Sequence, residues 1–145
     1  QQRSDDGRMM HAVLAAPLVE QRALLERGEI SARELVSLHL DQIARIEPNL
    51  NAIVTLVAER ALAEADRADR ARARGRPSGP LHGIPMTIKD GLDTAGVVTT
   101  GGTLGRADYV PKRDATAVAR VRRAGAILSP PSIAGSRPAS ECGRC

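Results

Sequence analysis

The near absence of aromatic residues constrains this chain more than any other feature of its sequence. It has no Phe and no Trp, and its single Tyr is Tyr109. A core must therefore be built from Ala, Val, Leu and Ile, which bury less surface per residue than aromatic side chains do. A length of 145 residues with 42% hydrophobic content allows one domain. The composition fits part of a larger domain better than a self-sufficient one.

The first half of the chain carries clear helix signals. Leu18–Arg27 is predicted to be a helix, and Ser31 with Glu34 forms a capping box that starts a second helix at Ala32. Pro48 is expected to end that second helix, since proline cannot donate a backbone hydrogen bond.

The remaining elements alternate between helix and strand. Ala52–Val57 and Ala126–Leu128 are predicted strands, Ala58–Arg74 is a predicted helix, and Asp114 is a suitable N-cap for a helix over Ala115–Ala124. Such alternation indicates an α/β layered architecture.

The segment of residues 84–90 begins with an apolar run and ends in Lys89 and Asp90. If this run is a strand, Met86 and Ile88 point to one face, whereas Thr87 and Lys89 share the other. Lys89 is thereby placed beside a hydroxyl on the less apolar face.

His82 precedes this run by two residues. A role as metal ligand or base would need a partner, and none is visible in the sequence around it. A structural role is therefore expected for His82.

Lysine is rare among the basic residues, because Lys89 and Lys112 are the only lysines among 21 Lys and Arg. A guanidinium stays protonated at any workable pH, whereas an amine in an apolar site can lose its proton and act as a general base. The alternative is a lysine at a strand end that keeps its charge in water and pairs with Asp90 or Asp93.

The surrounding residues resemble a known motif. Gly83–Asp90, followed by Asp93–Gly96 and Thr99–Thr100, is similar to the N-terminal core motif of the amidase signature family. The flanks, residues 31–66 and 114–128, resemble the family's opening helices and its next helix and strand. The resemblance covers about residues 10–128, and residues 91–96 read more like the general amidases than the tRNA-dependent amidotransferases of the family.

The resemblance implies a Ser-cisSer-Lys hydrolase acting on small-molecule amides. Lys89 would be the base that works through a bridging serine, while a second serine attacks the carbonyl and forms an acyl-enzyme. Thr87, Asp90 and Asp93 would support the lysine. The family needs no cofactor and no metal. The implied fold is an incomplete α/β fold, comprising the N-terminal helices and first strands of a mixed-sheet α/β/α domain.

Neither family serine can be assigned in this sequence. The family places both in glycine-rich segments well downstream of the lysine, a context that is missing around the four serines of the tail, namely Ser129, Ser132, Ser136 and Ser140. We therefore expect the chain alone to be catalytically inactive. By resemblance it is an amidase, but one whose catalytic residues are incomplete.

The chain is expected to divide into three parts. Residues 1–10 form a polar N-terminal tail, and residues 11–128 form the N-terminal part of an amidase domain. Residues 129–145, rich in Ser, Pro, Gly and Arg, are expected to be disordered. Without a signal peptide or spanning segment, a cytoplasmic location and no membrane partner are expected.

A non-catalytic function is the alternative: a pseudogene product, or a small basic module that binds through the arginines of residues 67–76. The net charge of +4 would allow nucleic-acid binding. However, acidic residues interleave with these arginines at helical spacing, which favours a solvated face of ion pairs. Few aromatics are available for base stacking, so a nucleic-acid partner is not expected.

Overall fold

The computed structural model describes residues 12–50 and 58–128. Four predictions fall outside these residues: the tail at 1–10, the strand at 52–57, the tail at 129–145 and the serines within that tail.

The described part is a set of helices packed on one short parallel strand pair. After helical residues 12–15, the elements are α1 (Leu18–Arg27), α2 (Ala32–Leu50), α3 (Ala58–Ala73), β1 (Pro85–Met86), a 3-10 turn (Leu104–Arg106), α4 (Thr116–Arg123) and β2 (Ile127–Leu128). Pro85 pairs with Ile127 and Met86 pairs with Leu128. The helices around a parallel pair agree with the α/β prediction.

The start of α2 confirms the predicted capping box. The backbone N–H of Glu34 donates to Ser31 Oγ at 3.0 Å, and the Ser31 N–H donates to Glu34 Oε2 at 2.8 Å. The Glu34 carboxylate accepts from the Ser31 N–H and also from the Ser31 hydroxyl at 2.7 Å, and these two bonds, the backbone one foremost, lower the pKa of the Glu34 carboxyl. Asp69 of α3 also accepts from the backbone N–H groups of Ala32 and Arg33, so a second carboxylate satisfies the free donors of this helix end.

Two predicted boundaries were wrong. Helix α2 does not end before Pro48 but continues through it to Leu50. Helix α4 begins at Thr116 with Ala115 as its N-cap. Asp114 does not cap it, because its carboxylate instead binds the Ala95 N–H and the Arg122 guanidinium.

The main core lies where α2 crosses α3 and both meet the strands. Leu35, Val36 and Ala61 are fully buried there, and the small side chain at 61 lets the two helices approach closely. A second cluster, formed by Ile88, Val118 and Leu128, packs α4 on the strand pair. The strand pair therefore joins two apolar layers.

The segment before β1 lies directly against the end of α4. Leu81 N–H donates to Ala124 O at 2.9 Å, and Gly83 N–H donates to Gly125 O at 3.1 Å. A Cβ on Gly125, whose φ is +95°, would lie 2.8 Å from the Cα of His82. Glycine is required at 125 both for its left-handed backbone and for this close approach.

Among residues 12–50 and 58–128, no helix has the length and apolarity needed to span a bilayer.

Candidate active site

Lys89 lies three residues after the end of β1. Thr87 and Lys89 are exposed, whereas Ile88 is buried and Met86 is half-buried. The alternation predicted for this run is therefore confirmed, although the paired strand itself covers only Pro85–Met86. Burial of Ile88 fixes the backbone from which Lys89 extends.

Asp90 is buried, and its carboxylate binds the turn that follows ten residues later. Its side chain accepts a hydrogen bond from the Thr100 backbone N–H at 2.8 Å and a second from the Thr100 hydroxyl. The same hydroxyl oxygen accepts from the Gly102 N–H at 3.1 Å. Asp90 thus ties the end of the lysine motif to the turn at Gly101 and Gly102, whose φ angles are 58° and 75°.

Asp93 binds a different part of the loop. Its carboxylate accepts from Arg106 Nη2 at 2.9 Å and from the Tyr109 hydroxyl at 3.1 Å. The Arg106 guanidinium carbon also lies 4.3 Å from the centre of the Tyr109 ring, a cation–π distance. The Ala115 N–H donates to the Asp93 carbonyl at 2.7 Å. Asp93 therefore holds together the loop that leads from Lys89 to α4.

Lys89 itself takes part in none of these interactions. Within the described residues, no hydrogen bond or ion pair involves its side chain, and the carboxylates of Asp90 and Asp93 are occupied by other donors. The alternative in which Lys89 pairs with one of these two carboxylates is wrong for this structure. The structure leaves the Lys89 amine available to groups outside the described residues.

A further polar cluster lies beside the motif and was missed from the sequence. Arg60 and Glu64 on α3, with Asp114 and Arg122 around α4, surround the backbone of Ala95. The i, i+4 spacing of Arg60 and Glu64 predicts an ion pair within a helix, and this pair is present. Nothing in that spacing indicates contact with a loop 31 or more residues away.

His82 has the structural role that was predicted for it. Its Nδ1 accepts from the Ser78 N–H at 3.0 Å, and its Nε2 lies 2.9 Å from the Ala68 carbonyl. The Ser78 bond closes the turn before β1, and the Ala68 contact docks this turn on α3. As for metals, the part of the chain that the structure describes holds no group of three or more His, Cys, Asp or Glu arranged to bind one.

The arginine-rich end of α3 is partly neutralised. Arg33 of α2 binds Asp66 at 2.6 Å, and Arg72 binds Asp69 at 3.1 Å. The Arg72–Asp69 pair has the helical spacing that the interleaved charges indicated, whereas Arg33 reaches Asp66 from the neighbouring helix.

Comparison with known proteins shows the family of the chain. The Amidase family model matches residues 34–129. The glutamyl-tRNA(Gln) amidotransferase A-subunit of Synechococcus sp. (strain WH7803) is 46% identical over 111 residues, 77% of this chain and 23% of that protein. The corresponding protein of Roseiflexus sp. (strain RS-1) is 49% identical over 111 residues, with the same two coverages.

The solved structure of native peptide amidase from Stenotrophomonas maltophilia superposes with a TM-score of 0.76 and 35% sequence identity. The match covers 81% of this chain and 24% of that one. The chain therefore belongs to the amidase signature family and has the fold of that family's N-terminal part, as predicted.

The chain spans about a quarter of the length of the relatives and structures it matches. Its identity to the two amidotransferase proteins is higher than its identity to the peptide amidase. This order is opposite to the preference read from residues 91–96.

Proposed function

We propose that this chain supplies the general base of an amide hydrolase, with Lys89 as the lysine of a Ser-cisSer-Lys triad. The observation that supports this most directly is that Lys89 lies within the matched family region and makes no hydrogen bond or ion pair within the described residues, although Asp90 and Asp93 follow it closely in sequence. Its side chain is exposed among these residues, so the apolar surroundings that a neutral amine requires would come from the rest of the assembled site. The family membership of residues 34–129 supports the same role.

The chemistry requires an amine that can accept a proton. A neutral Lys89 would take the proton of the bridging serine, which in turn takes the proton of the nucleophilic serine as its oxygen attacks the amide carbonyl. The C–N bond breaks, ammonia or an amine leaves with the transferred proton, and water then hydrolyses the acyl-enzyme to a carboxylate. Neither serine belongs to the residues described above.

The three residues around Lys89 would support it in different ways. Asp90 and Asp93 each fix one part of the loop that follows the lysine, through Thr100 and through Arg106. Thr87 lies two residues before Lys89 and is exposed as the lysine is. In the assembled site it would bind the amine or the bridging serine.

We further propose that the 145-residue chain by itself does not hydrolyse amides. None of its serines lies in the glycine-rich context that the family uses for its nucleophile and its bridging serine. Small-molecule amides are the substrate class, and the cytoplasm is the proposed location. Ammonia release by the purified chain that disappears in Lys89→Ala would overturn the inactivity proposal.

A chimera tests the role of Lys89. Residues 12–128 of this chain would replace the matching part of the peptide amidase, and ammonia release from a peptide amide would be followed. We expect Lys89→Ala to lower kcat by about a thousandfold or more, as loss of a triad member does. Lys89→Arg should be equally inactive, because a guanidinium cannot accept the proton.

The second lysine of the chain provides the matched control. Lys112→Ala removes the same positive charge outside the motif and should leave kcat within about twofold of the parent chimera. Equal kcat values for Lys89→Ala and Lys112→Ala would refute the assignment of Lys89 as the base.

A further inference from the structure

The cluster around Ala95 is a closed ring of hydrogen bonds. Arg60 Nη1 donates to the Ala95 carbonyl at 3.1 Å, and Arg60 Nε donates to Glu64 Oε1 at 3.1 Å. Arg122 Nη1 donates to the same Glu64 oxygen at 3.3 Å, and Arg122 Nε donates to Asp114 Oδ2 at 3.0 Å. Asp114 Oδ1 closes the ring by accepting from the Ala95 N–H at 2.7 Å. Both backbone polar groups of Ala95 are therefore held by side chains that are bonded to each other.

The ring is neutral and partly shielded from water. It contains two guanidinium groups and two carboxylates; the side chains of Glu64 and Asp114 are each 15% exposed, and those of Arg122 and Arg60 are 27% and 37% exposed. Solvent and salt screen such pairs less than they screen surface ion pairs. Charge-assisted hydrogen bonds are directional, so they fix geometry more than apolar contacts do.

The ring acts on the loop that begins immediately after Lys89. Arg60 and Glu64 come from α3, and Arg122 comes from α4, so the ring clamps the loop at Ala95 between two helices. The next residue, Gly96, has φ +73°, and a Cβ there would lie 3.6 Å from Arg60 Nη1. The loop and the guanidinium are in close contact at this point.

Stability alone gives a weak reason for such a ring. Replacing a buried ion pair by apolar side chains of similar volume is often neutral or stabilising, since both charges must be desolvated. Apolar side chains could not bind the carbonyl and the N–H of Ala95 at the same time, as the ring does.

We propose that Arg60, Glu64, Asp114 and Arg122 are positioning residues, which hold the loop at Ala95 and thereby keep Lys89 in place for catalysis. This inference rests on the proposed role of Lys89 as the base. The four residues act through the backbone and do not contact the substrate.

The first test uses the 145-residue chain and amide hydrogen exchange at Ala95. Arg60→Met keeps most of the side-chain stem but removes the bonds to Glu64 and to the Ala95 carbonyl. Arg60 does not contact the Ala95 N–H, so faster exchange there reports a looser loop and not the loss of its acceptor. We expect exchange at Ala95 to become about tenfold faster or more. Arg60→Lys, which can keep one of the two bonds, should restore part of the protection.

Arg33→Met is the matched control. It removes the ion pair between Arg33 of α2 and Asp66 of α3, the helix that also carries Arg60, and this pair lies outside the ring. Exchange at Leu35, in the core of α2, separates a local effect from global unfolding. Unchanged Ala95 exchange in Arg60→Met, or an equal change at Leu35, would overturn the inference.

The second test uses the peptide amidase chimera. Arg60→Met should lower kcat by about 10- to 100-fold, because a small misplacement of a catalytic group is costly. KM should stay within about twofold, since no substrate contact is lost. Arg60→Lys should recover part of kcat, and Arg33→Met should behave as the parent.

The two proposals fail in different ways. Activity retained in Lys89→Ala would refute the proposed function whatever Arg60→Met does. Inactive Lys89→Ala together with a fully active Arg60→Met would refute only the positioning role. A loss in Arg60→Met that is matched by Arg33→Met would show a general structural effect, which also refutes the positioning role.

Discussion

The helical region, α1 to α3, and the motif loop, residues 87–115, are held together by different interactions. The helical region is packed around buried aliphatic side chains, of which Leu35 and Val36 are fully buried. In the motif loop the carboxylates of Asp90, Asp93 and Asp114 each accept bonds from the backbone or from side chains of other segments. Apolar packing thus carries the first region, and directional hydrogen bonds organise the second.

We expect the apolar packing to determine the stability of the chain and the hydrogen bonds to determine the geometry of the motif loop. Hydrophobic contacts are non-directional and scale with the apolar area removed from water, so they tolerate small displacements. Hydrogen bonds to carboxylates lose strength when distance or angle changes. The candidate base, Lys89, lies near the start of the motif loop. Its backbone is anchored by the buried side chain of Ile88.

The largest effect is expected from opening a cavity in the helical region. Leu35→Ala should lower the free energy of unfolding by about 3 to 4 kcal/mol, because a fully buried side chain leaves a cavity behind. Urea unfolding followed by circular dichroism measures this loss. Leu50→Ala is the control, since Leu50 is 63% exposed and should cost less than about 0.5 kcal/mol. Similar losses in the two variants would contradict the description of this core.

A somewhat smaller loss of stability is expected where the segment before β1 lies against the end of α4. Gly125→Ala would place a Cβ 2.8 Å from His82 Cα at a φ of +95°. Strain and overpacking together should cost about 2 to 3 kcal/mol. Gly91→Ala is the matched control, because an added Cβ there meets no atom within 4 Å. A melting temperature that falls equally in both variants would count against the close approach.

The sequence predicted the helical region well because its signals are local. The capping box of Ser31 and Glu34 involves residues three apart, and Leu18–Arg27 was predicted with its observed bounds. Pro48 is the exception, since the local proline signal predicted the end of α2 there and the helix continues to Leu50. The family motif also placed Lys89, Thr87, Asp90 and Asp93 on one short segment.

The rest of the site could not be predicted because its contacts are distant in sequence. Asp114 looked like an N-cap, and only the fold brings Arg122 and the Ala95 N–H to its carboxylate. Glu64 and Arg122 are 58 residues apart. No periodicity in the sequence encodes such a pair.

Within the motif loop, Asp90 is the place to test whether hydrogen bonds are the main support. Asp90→Asn keeps the shape but offers one acceptor oxygen where two accept from Thr100. The free energy of unfolding should fall by about 1 to 2 kcal/mol, and the Thr100 amide should exchange faster. Asp108→Asn, at an exposed position of the same loop, should change neither quantity. Unchanged Thr100 exchange in Asp90→Asn would show that other contacts support this turn.

The smallest effect concerns a polar exception in the helical region. His39 lies on α2, and among the described residues its buried Nε2 atom has no hydrogen-bond partner. Burial lowers the pKa of the His39 imidazole below its ordinary value. The unfolded chain therefore binds the proton first, with a pKa of about 6.5, and stability falls as the pH drops below that value. The fall ends once the folded imidazole is also protonated.

His39→Leu should remove this dependence and make the stability profile flatter between about pH 8 and pH 5. Between pH 8 and pH 5, the free energy of unfolding lost by the parent should exceed that lost by His39→Leu by less than about 1 kcal/mol, because partial exposure to water reduces the effect. Urea unfolding of both proteins across this range measures it, and His82, present in both, cancels in the comparison. Parallel profiles would mean that the His39 imidazole is solvated as well in the folded chain as in the unfolded one. A free energy of unfolding that falls more steeply in the parent would show that the helical region contains one group whose protonation destabilises the fold.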